Sequence, residues 1–334
     1  MEKLEKRGNV FGRIMQNELS MLVVALIGLM VVFSILTEVF FTPLNLLNVL
    51  RQVSYNAIAA IGMAMIIISG EIDLSVGSLQ ALAGVLAVMA LNATGNVVVA
   101  VVVALAISIA AGVANGVLVT VLGLNSFIAT LATMAIWRGM IMIITNAVSQ
   151  IISVPDFSKI GTASVAGIPI PIIIMVVLVV VFHFVLNNSA FGRYIYAVGG
   201  NRESAKLAGL NVKKIKMLVY ILGNLLFGVS AVILTARLDS GQPNAGEGME
   251  MNVVAATVLG GVSMTGGTGT LLGAIVGVVI LGVIQNGLVL LNVNSFWQDV
   301  VRGIVIILAV YLDVRRKISV EKRLLRESQQ AQQA

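Results

Sequence analysis

Residues 97–121 read VVVAVVVALAISIAAGVANGVLVTV, an unbroken run without a single charge. About 20 apolar residues suffice to cross roughly 30 Å of hydrocarbon as a helix. A backbone in lipid must also satisfy its own hydrogen bonds, which leaves the α-helix as the structure for one isolated run. The same pattern recurs in both directions along the chain. Apolar stretches lie near 20–40, 54–69, 75–91, 126–145, 169–186, 215–236, 252–264, 270–290 and 296–313, so that about ten spans are expected. Those near 75–91 and 252–264 are short, and 252–264 reads as a re-entrant or broken helix. The 334 residues are 58% hydrophobic and only 11% charged, whereas a soluble domain is nearer half apolar and a quarter charged. All five prolines (Pro43, Pro155, Pro169, Pro171, Pro243) fall in loops or at span starts, where a missing N–H costs little. The expected fold class is all-α integral membrane, with an N-terminal segment 1–19, a membrane domain 20–313 and a tail 314–334.

Charge sets the expected orientation. Of 21 basic residues, 16 fall in three places: the first segment (Lys3, Lys6, Arg7, Arg13), the 187–214 loop with its edge at Lys216, and the tail after 313. The positive-inside rule puts all three in the cytoplasm, and with them both termini, which requires an even number of spans. No small-residue cleavage pattern follows the first run, so it reads as a retained span. The basic residues lack interleaved aromatics, which argues against nucleic acid as a partner.

Several chemistries are absent. There are no cysteines and one histidine, His183, which excludes disulfides, thiol nucleophiles and multi-histidine metal sites. No lysine follows a glycine, so there is no G-x-x-x-x-G-K-[ST] phosphate loop, and no catalytic constellation can be assembled. Ionisable residues in or beside spans are few: Glu71 and Asp73, Arg138, and Asp299 with Arg302. The last two stand one turn apart and most simply neutralise each other. Asp73 and Ser75 read as a helix start or as part of a gate. His183 reads as an interfacial polar tip.

Glycine, 33 residues in all, is densest in LGGVSMTGGTGTLLGAIVGVVILG (259–282), where small residues let helices approach closely. Two internal echoes compete. NGVLVTVLGLNSF (115–127) with NGLVLLNVNSF (286–296) fits an inverted repeat, whereas SVGSLQALAG (75–84) with TGGTGTLLGA (265–274) implies a different offset.

One soluble-looking passage interrupts the apolar chain: GRYIYAVGGNRESAKLAGLNVKKIK, 192–216. Asn201 suits an N-cap, Glu203 the first turn, and Gly209 the stop of a short helix. Ala205, Leu207 and Ala208 between Arg202 and Lys206 make a small apolar surface suited to a shallow protein groove with acidic walls. The alternatives are a solvated loop whose lysines only set topology, or contact with anionic lipid.

That passage, with SGEIDLSVGS (69–78), LGGVSMTGGTGT (259–270) and YLDVRRK (311–317), resembles the permease subunits of bacterial ATP-binding-cassette sugar importers. The family is that of the ribose, xylose, arabinose and galactoside permeases, and the resemblance runs from about Phe40 to Lys317. It implies a ten-helix, vitamin-importer-like (type II) architecture that pairs as a homo- or heterodimer in the bacterial inner membrane. It implies a cytoplasmic coupling helix at Asn201, Arg202, Glu203, Ala205, Lys206 and Gly209, seated on a separate ATPase subunit that holds the ATP and Mg. This chain itself would carry no cofactor, no metal and no catalytic residue, and a periplasmic or lipid-anchored sugar-binding protein would deliver the cargo. Gly70, Asp73, Ser75, Gly77 and Ser78 match a signature that would help to shape the gate. The expected path residues are Asn56, Gln80, Asn115, Asn286 and Gln298, with Phe127, Trp137 and Trp297 as stacking faces. Each also reads as a helix-packing contact or interfacial anchor. Ribose is the first expected cargo; xylose, allose, galactofuranose or an autoinducer-type sugar fits the same residues. The rival reading is a self-sufficient, ion-coupled transporter or channel.

Overall fold

The computed structural model describes residues 18–308 together with 310, 311, 314 and 315. In chain order the helices are α1 (Glu18–Leu36), α2 (Pro43–Ile68), α3 (Val76–Thr94), α4 (Val97–Thr120), α5 (Ser126–Thr145), α6 (Pro155–Thr162), α7 (Ile170–Asn188), α8 (Ala190–Gly200), α9 (Arg202–Leu207), α10 (Val212–Leu238), α11 (Met249–Leu259), α12 (Leu271–Leu290) and α13 (295–308). Four two-residue strands, β1 (Gln150–Ile151), β2 (Ser164–Val165), β3 (Ile168–Pro169) and β4 (Ser240–Gly241), form the antiparallel pairs β1–β4 and β2–β3. Among the described residues, eight helices are long and apolar enough to cross a membrane: α1 to α5, α7, α10 and α12. The chain is a multi-pass, all-α membrane protein.

Short polar residues set the helix starts. Asn96 accepts the Val98 and Val99 N–H groups, Asn125 those of Phe127 and Ile128, and Thr270 that of Gly273. Thr42 with Pro43 begins α2 well before the expected 54–69. Asn45, Arg51 and Gln52 make its first turns too polar for a hydropathy reading, but Asn45 is buried and hydrogen-bonded to Phe40 O and Asn286.

Eight of the ten expected spans are long apolar helices among the described residues, and the one expected at 252–264 is built differently. The chain from β4 to α12 passes through as a series of turns over 243–248 and then a half-helix. Gly241 lies against Val85 of α3, and Gly246 against Gly77 near the same helix's start. The 11-residue α11 follows, only about 16 Å long. Beyond it the Gly267 N–H donates to Ile68 O at the end of α2, 2.8 Å away. This is the broken helix expected at 252–264. Unwound backbone is tolerated at membrane depth only where protein covers it, and Arg138 of α5 does so here, donating to Pro243 O and, at 3.2 Å, to Ala245 O.

α10 lies at the centre, against α2, α3 and α4. A Cβ on Gly62 would sit 2.6 Å from Gly223 O, and one on Gly112 would sit 2.8 Å from Tyr220 O, so these helices meet backbone to backbone. Cross-contacts assign the two ends of the bundle. Phe33 at Gly287, Asn45 at Asn286, and β1 beside the end of α3 mark one end. Opposite it, α8 and α9 sit with the end of α2 and the start of α12. The echoing stretches 115–127 and 286–296 fall at opposite ends, at the α4–α5 and α12–α13 junctions.

Candidate functional site

A narrow cleft opens between α2, α11, α12 and α13. Its apolar wall includes Val253, Ala256, Val278 and Leu281, and its polar groups are Asn56, Asn252, Gln285, Gln298 and Arg302. Arg302 is ion-paired with Asp299 at 3.0 Å, the neutralisation that the i, i+3 spacing predicts. Gln298 donates to Val293 O at 2.9 Å, and Asn56 to Gln52 O at 3.3 Å. The set is mostly neutral donors and acceptors on an apolar wall. Such groups suit weak hydrogen bonds to a neutral polar solute, the kind of contact that conduction requires.

Of the path residues expected from sequence, only Asn56 and Gln298 line this cleft. Asn286 turns away from it into a reciprocal amide pair with Asn45, at 3.0 and 2.9 Å. Its neighbour Gln285 faces in; adjacent polar positions on a helix point about 100° apart, and the apolar pattern alone does not say which one faces a cavity. Gln80 is buried and donates to Ser230 Oγ at 2.6 Å. Asn115 is enclosed in the loop cluster described next. Phe127 and Trp297 lie exposed on the outer surface, and Trp137 is partly buried within the bundle.

The 70–78 stretch is a buried hub. Gly70 takes a left-handed conformation (φ +81°), and the chain turns into the space between α4, α5 and α10. Asp73 is fully buried and does not cap α3; Ser75 holds that position without a side-chain cap bond. The carboxylate instead gathers four donors: Ser75 N–H at 2.9 Å and its hydroxyl at 2.6 Å on Oδ1, with Asn115 at 3.1 Å and Asn224 at 2.9 Å on Oδ2. Both amides donate through their nitrogens. Around it, Ile72 N–H donates to Ser126 Oγ at 3.3 Å, Leu74 N–H to Thr130 Oγ1 at 3.0 Å, and Tyr220 OH to Ile72 O at 3.1 Å. Glu71 makes a nearly buried ion pair with Lys216. Lys216 therefore leaves the solvated basic set to which its sequence position assigned it, because 145 residues separate it from its partner. Gly77 packs where a Cβ would lie 2.1 Å from Gly246 O, and the Ser78 hydroxyl bonds Ser75 O at 3.0 Å.

The 201–209 stretch is the reverse, a short helix standing on the surface. Asn201 Oδ1 accepts the Ser204 N–H at 2.9 Å, and Gly209 (φ +81°) ends the turn in open space. Lys206 and Glu203 pair at 2.8 Å, and this hydrogen bond, with the lysine's charge, holds the exposed Glu203 carboxyl below its ordinary range. The expected apolar surface of Ala205, Leu207 and Ala208 is not one face. Ala205 is 4% exposed and turned into the body, whereas Leu207 is 90% exposed. Two positions apart on a helix point about 200° away from each other. Arg193, Arg202, Lys206, Lys213 and Lys214 are exposed in the same passage of chain as Leu207. His183, near the end of α7, lies within hydrogen-bond distance of Asn187. Among the described residues, no group of three or more histidines and carboxylates could hold a metal ion.

A family model described as "Branched-chain amino acid transport system / permease component" matches residues 45–310. The ribose import permease protein of Bacillus subtilis (strain 168) is 44% identical over 290 residues, 86% of this chain and 90% of its own length. The ribose import permease protein of Escherichia coli (strain K12) is 42% identical over 298 residues, 88% and 93% of the two chains. An L-arabinose ABC transporter permease protein of Azospirillum brasilense is 39% identical over 296 residues, 89% and 87% of the two. No solved structure matches the chain. With one family covering the whole bundle from α2 to α13, and relatives this similar over nearly their full length, the chain belongs to the family of ATP-binding-cassette importer permeases that holds the ribose and arabinose permeases.

Proposed function

We propose that the chain is the membrane-spanning subunit of an importer that carries a monosaccharide into the cytoplasm, with ribose as the first candidate, and that a separate ATPase subunit drives it. The observation that carries the energy coupling is α9. A capped helix, anchored by Ala205 and carrying one bare leucine among basic side chains, is built to seat in another protein rather than to rest in water. The similarity to two ribose import permeases supports the cargo. In this reading the α8–α9 end faces the cytoplasm together with both termini, as the basic residues favour. A sugar-binding protein delivers cargo at the other end, and a second permease chain completes the pore in the bacterial inner membrane. Closure of the ATPase pair pushes the 201–209 lever, and the cleft opens alternately to each side. Gly70 to Ser78 fix the lever's relation to the bundle and so shape the gate. ATP and Mg belong to the partner.

The test is ribose uptake into proteoliposomes. Vesicles holding this chain alone, with or without a proton or sodium gradient, are expected to take up none. Adding the cognate ATPase subunit, ATP inside the vesicles and the sugar-binding protein outside should start uptake. Gradient-driven uptake by the chain alone would instead establish the ion-coupled alternative.

A further inference from the structure

Three backbone segments without side chains meet where α8 ends. Gly199 is so tightly placed that a Cβ would lie 1.7 Å from Ile68 O and 2.8 Å from Gly267 N. One on Gly267 would lie 2.4 Å from Gly200 Cα, and one on Gly266 would lie 2.7 Å from Gly70 Cα. The end of α8, the end of α2 and the turn after α11 are thus in direct main-chain contact. Two hydrogen bonds fasten them. Gly267 N–H donates to Ile68 O at 2.8 Å, and Tyr196 OH donates to Gly269 O at 2.9 Å.

Each segment leads somewhere. Gly200 is followed at once by Asn201 and α9. Ile68 to Gly70 opens into the Asp73 hub. The 260–270 turn continues α11, which lines the cleft with Asn252, Val253 and Ala256. That turn is itself rigid at its base: a Cβ on Gly260 would lie 2.3 Å from Gly273 O, and one on Gly277 would lie 2.0 Å from Ala256 O. An interface of side chains can absorb a small displacement by changing rotamers. Main chain against main chain has no such slack, and close-packed matter passes strain on.

We infer that the 266–269 turn is a mechanical relay, with Tyr196 and Gly267 as its positioning residues, through which displacement of α9 moves the half-helix α11 and so the cleft wall. This rests on the reading of α9 as the ATPase-docking helix. Force entering at Leu207 travels along α8, crosses the glycine joint and tilts α11 against α12. Tyr196 keeps α8 engaged during the stroke. Substitutions at the joint should therefore leave the motor running and disconnect it from the load.

The experiment compares ribose taken up per ATP hydrolysed in proteoliposomes of the complete complex. Tyr196→Phe should lower that ratio at least threefold, with unchanged ATP hydrolysis and unchanged co-purification of the ATPase subunit. Gly267→Ala should lower it at least tenfold; if that variant does not accumulate, Tyr196→Phe decides. Gly139→Ala, whose new methyl meets open space, should leave the ratio unaltered. A ratio unchanged in both joint variants overturns the relay. Hydrolysis and uptake falling together also overturns it, since the contact would then only seat α9. If the unmutated complex shows no ATP-dependent uptake at all, it is the parent reading that has failed.

Discussion

Residues 70–78 and 201–209 look alike on paper. Each is a short polar passage with glycine and acidic residues beside long apolar runs, and each carries the resemblance to the importer permeases. Folded, they are opposites. Asp73 has no exposed surface and four donors, while Glu203 has one exposed lysine for company. The difference teaches that polarity in a membrane bundle marks a position where bare lipid will not do, without saying whether water, a partner or the protein's own helices replace it. What separates the two is the rest of the chain. Asn115 and Asn224 lie opposite Asp73, whereas Leu207 stands 90% exposed among the described residues.

The sharpest way to break the contrast is at Asp73. Asp73→Leu leaves the Asn115 and Asn224 amides and the Ser75 hydroxyl buried without their acceptor. Each such orphan costs about 1–3 kcal/mol, so the variant should lose several kcal/mol and fail to accumulate in membranes. Thermal unfolding of the purified protein in detergent would measure the loss, and a melting temperature equal to the parent's would show that the hub bears no load.

Next in size is the Glu71–Lys216 pair. Removing one member of a buried ion pair costs about 3–5 kcal/mol, whereas exchanging both for apolar residues is often neutral. Lys216→Met alone should therefore be strongly destabilised, and Glu71→Leu with Lys216→Met should recover most of the loss. A double variant no better than the single one would mean that the two side chains do not compensate each other.

Much of this architecture was legible from the chain because lipid imposes a simple code. Among the described residues eight of the ten apolar stretches are long helices, the half-helix was visible in the shortness of 252–264, and the cap and stop of α9 followed from Asn201 and Gly209. Which polar residues face the cleft was not legible. Hydropathy flags a polar residue in a span but carries no direction, so Asn115, Gln80 and Asn286 read like Asn56 although they hydrogen-bond within the bundle and only Asn56 lines the cleft. The Lys216–Glu71 pairing was hidden by sequence distance, and the start of α2 by its own polar residues. Periodicity could have been used for Ala205 and Leu207, since their spacing already forbids a common face.

On the exposed side the contrast predicts the inverse pattern, function without folding energy. Leu207→Asp removes an apolar group that touches almost nothing in this chain, so its melting temperature should match the parent's within about 0.5 kcal/mol of stability. Co-purification of the ATPase subunit and ribose-stimulated ATP hydrolysis should fall at least tenfold. A variant that unfolds would place Leu207 in a core, and one that hydrolyses normally would remove α9 from the docking surface.

The smallest effect concerns protons. Lys206 lowers the Glu203 pKa in the folded helix, so the group's contribution is present above the ordinary carboxylate range and is lost only as pH falls through the lowered value. Across the range from about pH 8 to 5.5 Glu203 therefore stays ionised, and the exposed pair is largely screened by water and salt. ATPase binding to the intact chain should be flat over that interval, and Lys206→Ala should leave the melting temperature unmoved. If binding instead weakened steadily from pH 8 to 5.5, the acid-sensitive group at the interface would have to be other than Glu203.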